Sequence, residues 1–509
     1  MSRINTNVTS LIAQRILGNN NQSLGQSLER LSTGLKISRG KDDPAGLIAS
    51  EALRAEGRGL GQAISNAERA DQVSNIAEGG LQEVSGLLTE LQGLVTQTAN
   101  TAGLSAAEKQ ANQLQIDSIL QTIDRVAAAT SFQGIKLLNG NFDYTVDGVA
   151  AEVSNFRVNG AKLTYNGTRD VDIQVTQSAQ TGALLLSFGG AQLDLAGAGV
   201  DDPAARFVIE IGGVDGSREL SFASGTSIAD VVTTINTFTD VTGVSAIVSG
   251  TGIRLSSTEY GSAEFVSVKV ADDAGVVGGG VYSYGAGTNY SADTASATTF
   301  TAASNRITDS GQDLGATING INATTVGKVA RISTDFLDVE IELSTAASEA
   351  LNPVSAFTIT GGGADFQLAG NVDIGGKVAI GIGNVAVREI GRYSDDGSNY
   401  TLSNLGAGSS LNVVDGDLGK AQEVVSQAIS DISSLRGRLG AFQKNTVGAT
   451  IRSLGVSLEN TVAAESIIRD ADFASETAKL TRSQILVSSA TQVLSLSNAQ
   501  PQNVLSLLG

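Results

Sequence analysis

Both ends of this 509-residue chain read as long helices and its middle as short strands. The expected fold is therefore multi-domain: an all-α part built from the two ends, with β-rich (α+β) domains inserted between them. Three observations carry this. Residues 1–140 hold 12 basic and 13 acidic side chains, and residues 411–509 hold 8 and 9, so each end is nearly neutral. The middle holds 13 basic and 30 acidic residues, all eight tyrosines and eleven of the fourteen phenylalanines. The only prolines are Pro44, Pro203, Pro353 and Pro501, so none occurs between Pro44 and Pro203 or between Pro353 and Pro501, where helices of many turns are permitted.

Composition removes several classes of function. The chain has no His or Cys, so cysteine or histidine nucleophiles, thiolate redox chemistry and His- or Cys-ligated metals lack their residues. A formal charge of −19 argues against a nucleic-acid-binding surface. No run approaches the roughly 18 apolar residues of a membrane span. No apolar leader follows Met1-Ser2-Arg3, so export by a route without a cleaved signal is expected.

The N-terminal stripe runs Ile4, Val8, Leu11, Ile12, Leu17, Leu24, Leu28, Leu31 and Leu35, in which Leu17, Leu24 and Leu31 repeat every seven residues. That is the seam spacing of helices that pack on helices. Lys41-Asp42-Asp43-Pro44 then reads as a helix start, because Asp42 or Asp43 can cap free N–H groups and Pro44 fits the first turn. A long helix to about Asn100 follows, then another from Ser105 to about Ala129. At the other end Val425, Ile429, Ile432, Leu435, Leu439 and Phe442 form an apolar stripe, and Leu480, Val487 and Leu494 again repeat every seven. Two readings of these stripes stand: a bundle within one molecule, or packing between molecules.

Between 141 and 410, strand-like runs include Phe207–Ile211, Ile253–Leu255, Phe265–Val270 and Val339–Leu343. One helix is expected over Thr226–Asn236, within an α+β module at 205–270, and 275–300 reads as a linker or long loop. Asp201-Asp202, Asp272-Asp273 and Asp395-Asp396 sit beside turn residues and read as solvated loops. Asp415-Gly416-Asp417 is not followed by a calcium loop, and Gly278-Gly279-Gly280 lacks the Lys-Ser/Thr of a phosphate loop. No catalytic, cofactor or metal site is predicted, and the protein is not expected to be an enzyme.

These residues resemble bacterial flagellin, the subunit of the flagellar filament. The resemblance rests on Ile4-Asn5-Thr6-Asn7, Leu28–Ile37 and Lys41-Asp42-Asp43-Pro44-Ala45-Gly46-Leu47 at one end. At the other it rests on Ile468-Arg469-Asp470-Ala471-Asp472-Phe473-Ala474 and the tail Asn498–Leu508, with Val504, Leu505 and Leu508. Thr226–Asn236 with Gly243-Val244-Ser245-Ala246 resembles the flagellin and hook module named for its Ile-Asn pair.

The resemblance implies that the terminal helices pair as an antiparallel coiled coil and assemble into a helical homopolymer outside the cell. Residues 1–40 and 470–509 would line the filament channel, 41–140 and 411–469 would form the coiled-coil core, and 141–410 would project outward. It implies export of the unfolded chain through the flagellar type III channel, with a chaperone on Leu480–Leu508. It further implies contacts with hook-associated junction and cap proteins, and O-linked glycans on Ser291–Ser304. The segment equivalent to the innate-receptor epitope holds Leu88, Glu90, Gln92 and Leu94, where Glu90 and Gln92 stand in place of basic residues. Weak recognition in a receptor reporter assay is expected. A hook–filament junction protein, or an added adhesive role, are the alternatives; the tail Pro501–Leu508 and Asp470-x-Asp472 favour the filament subunit.

Overall fold

A computed structural model of the chain describes residues 6–506, apart from 101–102, 165–166, 196–204, 277–278, 285–297 and 396–397. Ile4 and Leu508 lie outside the described residues, as do Asp201-Asp202 and the first half of Ser291–Ser304. The chain divides into two units. One comprises Met1–Asn75, Phe366–Lys377 and Gly437–Gly509, the other Ile76–Asp365 and Val378–Arg436.

The first unit is helical. α1 spans Val8–Thr33: the side chain of Asn7 caps its start by accepting from the Ser10 amide at 3.1 Å. It stops at Gly34, whose φ of 74° is the left-handed conformation that frees the amide to reach Arg30 O at 2.8 Å. α2 spans Pro44–Thr98. Asp43 Oδ1 accepts from the Gly46 amide at 2.9 Å and so caps α2, whereas Asp42 Oδ2 accepts from the amides of Ser38 and Arg39 and closes the preceding turn.

α3 spans Ala106–Ala129 and opens with a capping box, in which the Ser105 hydroxyl accepts from the Glu108 amide and Glu108 Oε2 accepts from the Ser105 amide. In the second unit α2 buries Ala77, Leu81, Val84, Leu88, Leu91 and Val95 at spacings of three and four, and α3 buries Ile116, Ile119, Leu120 and Ile123. An ion pair joins Glu78 to Arg436 at 2.8 Å.

Two β-rich cores follow in the same unit. The first contains the Ile-Asn module. One antiparallel sheet has the spatial order Gly280–Ser283, Ala183–Ser187, Gly252–Ser257, Val244–Ser249; a second runs Ile307–Ser310, Phe265–Asp272, Arg206–Gly212, Ser217–Ala223. The helix α4, Ile228–Asn236, buries Ile228, Val231 and Ile235 in this core. Phe188, Phe207 and Phe300 meet there with ring centroids 5.2–5.6 Å apart. The stretch 275–300, expected as a loop, contributes the strand Gly280–Ser283. Its single Val281-Tyr282 apolar pair is too short to signal a strand in sequence, and pairing with Ala183–Ser187 decides its structure.

The second core is a five-stranded sheet including Arg169–Gln177 and Pro353–Gly362 with a four-stranded sheet centred on Leu337–Leu343, whose alternate residues Leu337, Val339, Ile341 and Leu343 are buried. Tyr144 is buried here. Its hydroxyl donates to Ala161 O and accepts from the Ala161 amide at 2.8 Å, and desolvation pushes its phenol up to about 12.

The C-terminal helices are α5, Leu418–Ala441, α6, Gly448–Arg469, and α7, Phe473–Ser506. Between α5 and α6 lies one π-helical turn, Phe442–Val447, so the chain stays helical from Leu418 to Arg469.

Candidate assembly surface at the chain ends

Within the first unit α1 and α7 lie antiparallel and are tied at both ends. Ser10 Oγ donates to Asn498 Oδ1 at 2.6 Å and Asn7 Nδ2 to Ser497 O at 2.8 Å. Asn20 Nδ2 donates to Leu486 O at 3.4 Å. Arg30 reaches Glu476 at 3.3 Å. The seam positions of α1 are Ser10, Ala13, Leu17, Asn20, Leu24, Ser27 and Leu31, and those of α7 are Glu476, Leu480, Ser483, Val487, Ala490, Leu494 and Ser497, all buried or half-buried. Both series step by three and four, the seam of a coiled coil.

The register of those hydrogen bonds sets a large side chain against a small one. Leu17 faces Ala490, Leu24 faces Ser483, Leu480 faces Ser27 and Leu494 faces Ala13. The seven-residue repeats of Leu17, Leu24 and Leu31 and of Leu480, Val487 and Leu494 therefore meet within one chain. The small residues between them, such as Ser10, Ala13 and Ser27, carry no apolar signal.

One seam position is charged. The Glu476 side chain is only 5% exposed and also receives Lys479 Nζ at 2.8 Å. The Lys479 hydrogen bond, with the Arg30 charge, holds its carboxyl below the usual range. Glu476 Oε2 and Arg30 Nε are buried with no hydrogen-bond partner among the described residues. Where α1 and α7 begin and end, Leu35 bridges Asp470, the Lys36 amide donates to Arg469 O at 2.7 Å, and Arg469 pairs with Glu51 at 2.8 Å.

Outside the seam, large apolar side chains lie bare. Val8, Leu11, Ile12, Ile16 and Leu28 are exposed on α1, and Ile485, Leu486, Val493 and Leu496 on α7. α6 buries none of its residues and exposes Val456, Val462 and Ile467. Val504 and Leu505 continue the α7 backbone. Of the epitope-equivalent residues, Leu88 and Leu94 are buried, Gln92 is half-buried and Glu90 is exposed.

The comparisons with known proteins agree from end to end. The family description "bacterial flagellin N-terminal helical region" matches residues 4–143, "bacterial flagellin C-terminal helical region" matches 422–508, and "flagellin hook IN motif" matches 207–259, together more than half of the chain. The chain belongs to the bacterial flagellin family. It is similar to flagellin of Salmonella rubislaw, 28% identical over 533 residues with 99% of both chains covered. It is also similar to flagellin B of Helicobacter pylori strain 26695, 26% identical with the same coverage. Among solved structures it resembles FliC from Burkholderia pseudomallei at 14% identity and a TM-score of 0.22, over 74% of this chain and 99% of that one.

This flagellin is thus a structural subunit of the flagellar filament, the extracellular part of the flagellum, and polymerises with copies of itself. The junction-protein alternative is not favoured, since the curated relatives along the whole chain are filament flagellins. Among the described residues no helix is long and apolar enough to cross a membrane, and no group of three acidic side chains could hold a metal ion.

Proposed function

We propose that the α1–α7 seam folds within each subunit, while the bare stripes on its outer faces are where neighbouring subunits meet in the filament. The observation that carries this is ten large apolar side chains exposed on two helices, half of whose seam positions are Ser, Ala or Asn. Such a seam buries little apolar surface on its own, so helices of this length need a further surface to cover them. Non-closing contacts of one face with a different face then give helical growth.

In this reading Ile4, Val8, Leu11, Leu28, Val504, Leu505 and Leu508 belong to the polymer contact, and Leu17, Leu24, Leu31, Leu35, Leu480, Val487 and Leu494 support it from the seam. Residues 1–40 and 470–509 are the innermost part of the filament, 41–140 and 411–469 its coiled-coil core, and 141–410 its outward face. The bare α7 stripe, uncovered before assembly, is also the natural grip for an export chaperone on Leu480–Leu508, with the chain leaving unfolded through the type III channel. Hook-associated junction and cap proteins would take the same terminal surfaces at the filament's two ends. O-linked glycans would attach in Ser291–Ser304. Glu90 on the exposed side of α2 goes with weak innate-receptor recognition. No catalytic role is assigned.

The test is seeded elongation of the I485D and I16D variants. A charge in the contact is expected to lower the extent of elongation at least tenfold while the thermal transition of the β-rich cores stays where it is. Normal filament growth by both variants would refute the assignment.

A further inference from the structure

Among the described residues the strand Val244–Ser249 is the edge of its sheet, paired only with Gly252–Ser257. Edge strands in stable proteins are blunted by charge, proline or a bulge. This one has none: residues 241–253 contain no charged side chain and no proline, and Ile247 and Val248 are each more than half exposed. Its outward-facing backbone is nevertheless occupied at its centre. Asn236 Nδ2 donates to Ala246 O at 2.9 Å, and Asn236 Oδ1 accepts from the Ala246 amide at 2.7 Å. That is the pair of bonds a neighbouring antiparallel strand would make with Ala246. Two residues back, the Val244 amide donates to Thr242 Oγ1 at 3.3 Å. Ile235, one position before Asn236, is buried in the core and fixes the end of α4 beside the strand.

We propose that Asn236, aided by Thr242, is an edge plug: it fills the place of a fifth strand beside Val244–Ser249 and so bars a second copy of this chain from pairing there. A second copy is the fitting occupant because an antiparallel edge is self-complementary about Ala246, and a two-fold pairing of this kind closes as a dimer. The adjacent Ile and Asn then have separate duties, one anchoring the helix and the other sealing the sheet. The proposal concerns the module itself and holds wherever the module sits in a filament.

The experiment uses the full-length chain as soluble monomer, below the concentration at which the wild type polymerises. N236L keeps the side-chain size and loses both bonds. In N236L diluted until it is monomeric, hydrogen exchange at the Ala246 amide is expected to quicken at least tenfold, with Val266 and Val268 as protected as before. Sedimentation velocity at higher concentration is expected to show a dimer that the wild type lacks. N236L/V248K, with a charge on the freed edge, is expected to return to monomer, and N236D to stay monomeric. Unchanged exchange at Ala246 overturns the proposal, and so does faster exchange without a dimer. Should N236L lose protection at Val266 and Val268, T242V decides instead, since it frees the Val244 amide without touching α4. A T242V dimer supports the plug and a T242V monomer overturns it.

Discussion

Asn236, Asn319 and Gln113 are amide side chains that stand in for missing backbone partners. Asn319 Oδ1 accepts from the Asp172 amide at 2.8 Å and its Nδ2 donates to Asp170 O. Gln113 Oε1 accepts from the Val413 amide and its Nε2 donates to Leu405 O, both at 2.9 Å. An amide offers a donor and an acceptor side by side, so one side chain satisfies two backbone groups at once. Glu476 satisfies charge rather than backbone. Its carboxyl titrates lower in the folded chain than its ordinary value of 4.5, because it accepts from Lys479 and lies beside Arg30. A depressed carboxyl stabilises above its unfolded value and loses that contribution as pH falls through the folded one. The α1–α7 pairing, and the filament with it, is therefore expected to weaken as the pH drops below about 4.5. E476Q is expected to weaken the pairing by about 2 kcal/mol at neutral pH, the worth of a charge-assisted hydrogen bond, and to flatten its acid dependence. The measurement is filament dissociation against pH, and identical pH profiles for the two proteins would rule Glu476 out as the sensor.

The helix from Leu418 to Arg469 shows what one extra residue does to a seam. Among its buried and half-buried apolar positions, Ala428, Ile432, Leu435, Leu439 and Phe442 step by four, three, four and three. After the π turn Val447, Ile451, Leu454 and Leu458 step by four, three and four. The single step from Phe442 to Val447 is five, and the i→i+5 turn takes up the surplus without rotating α6 out of phase. Gln443 Nε2 anchors this turn by donating to Asn75 Oδ1 at 3.0 Å. Deleting Asn445, which is exposed, is expected to convert the turn to α-helix with the melting temperature within a few degrees of wild type. Deleting Ser453 instead should rotate the rest of α6 by about 100° and lower the transition by several degrees or more. Equal losses from both deletions, seen by calorimetry, would contradict the seam argument. The Leu repeats of α1 and α7 were legible in the sequence because leucine recurring every seven residues marks the buried seam of a helix. The Ser and Ala that face them were not, since small residues carry no periodic apolar signal. Nor was the Asn236 clamp, which depends on a hydrogen bond across ten residues. The turn at Asn319-Gly320, with φ of 50° and 78°, was readable from the Asn-Gly pair alone, although the strand Ile321–Asn322 that it leads to has two residues and is too short to be seen in advance.

Charge is divided along the chain as sharply as secondary structure. Thirty acidic residues against thirteen basic ones between 141 and 410 leave the β-rich stretch at −17, while each end is at −1. Neutral ends can stack on copies of themselves, and a strongly negative middle keeps polymers of such subunits apart in water. If 141–410 is the outward face, the repulsion between filaments must depend on salt. The screening length falls from about 30 Å at 0.01 M to about 3 Å at 1 M ionic strength. Filaments are expected to stay dispersed at low salt and to associate side by side as salt approaches 1 M. Converting the exposed Asp147, Glu219 and Asp240 to their amides removes three negative charges without disturbing a buried group, and should lower the salt needed for association. Light scattering of pre-formed filaments along a salt series gives the readout. An onset that does not move in the triple variant would mean that the acidic middle does not set the spacing. An onset that moves down would tie the uneven charge of the sequence to the behaviour of the polymer.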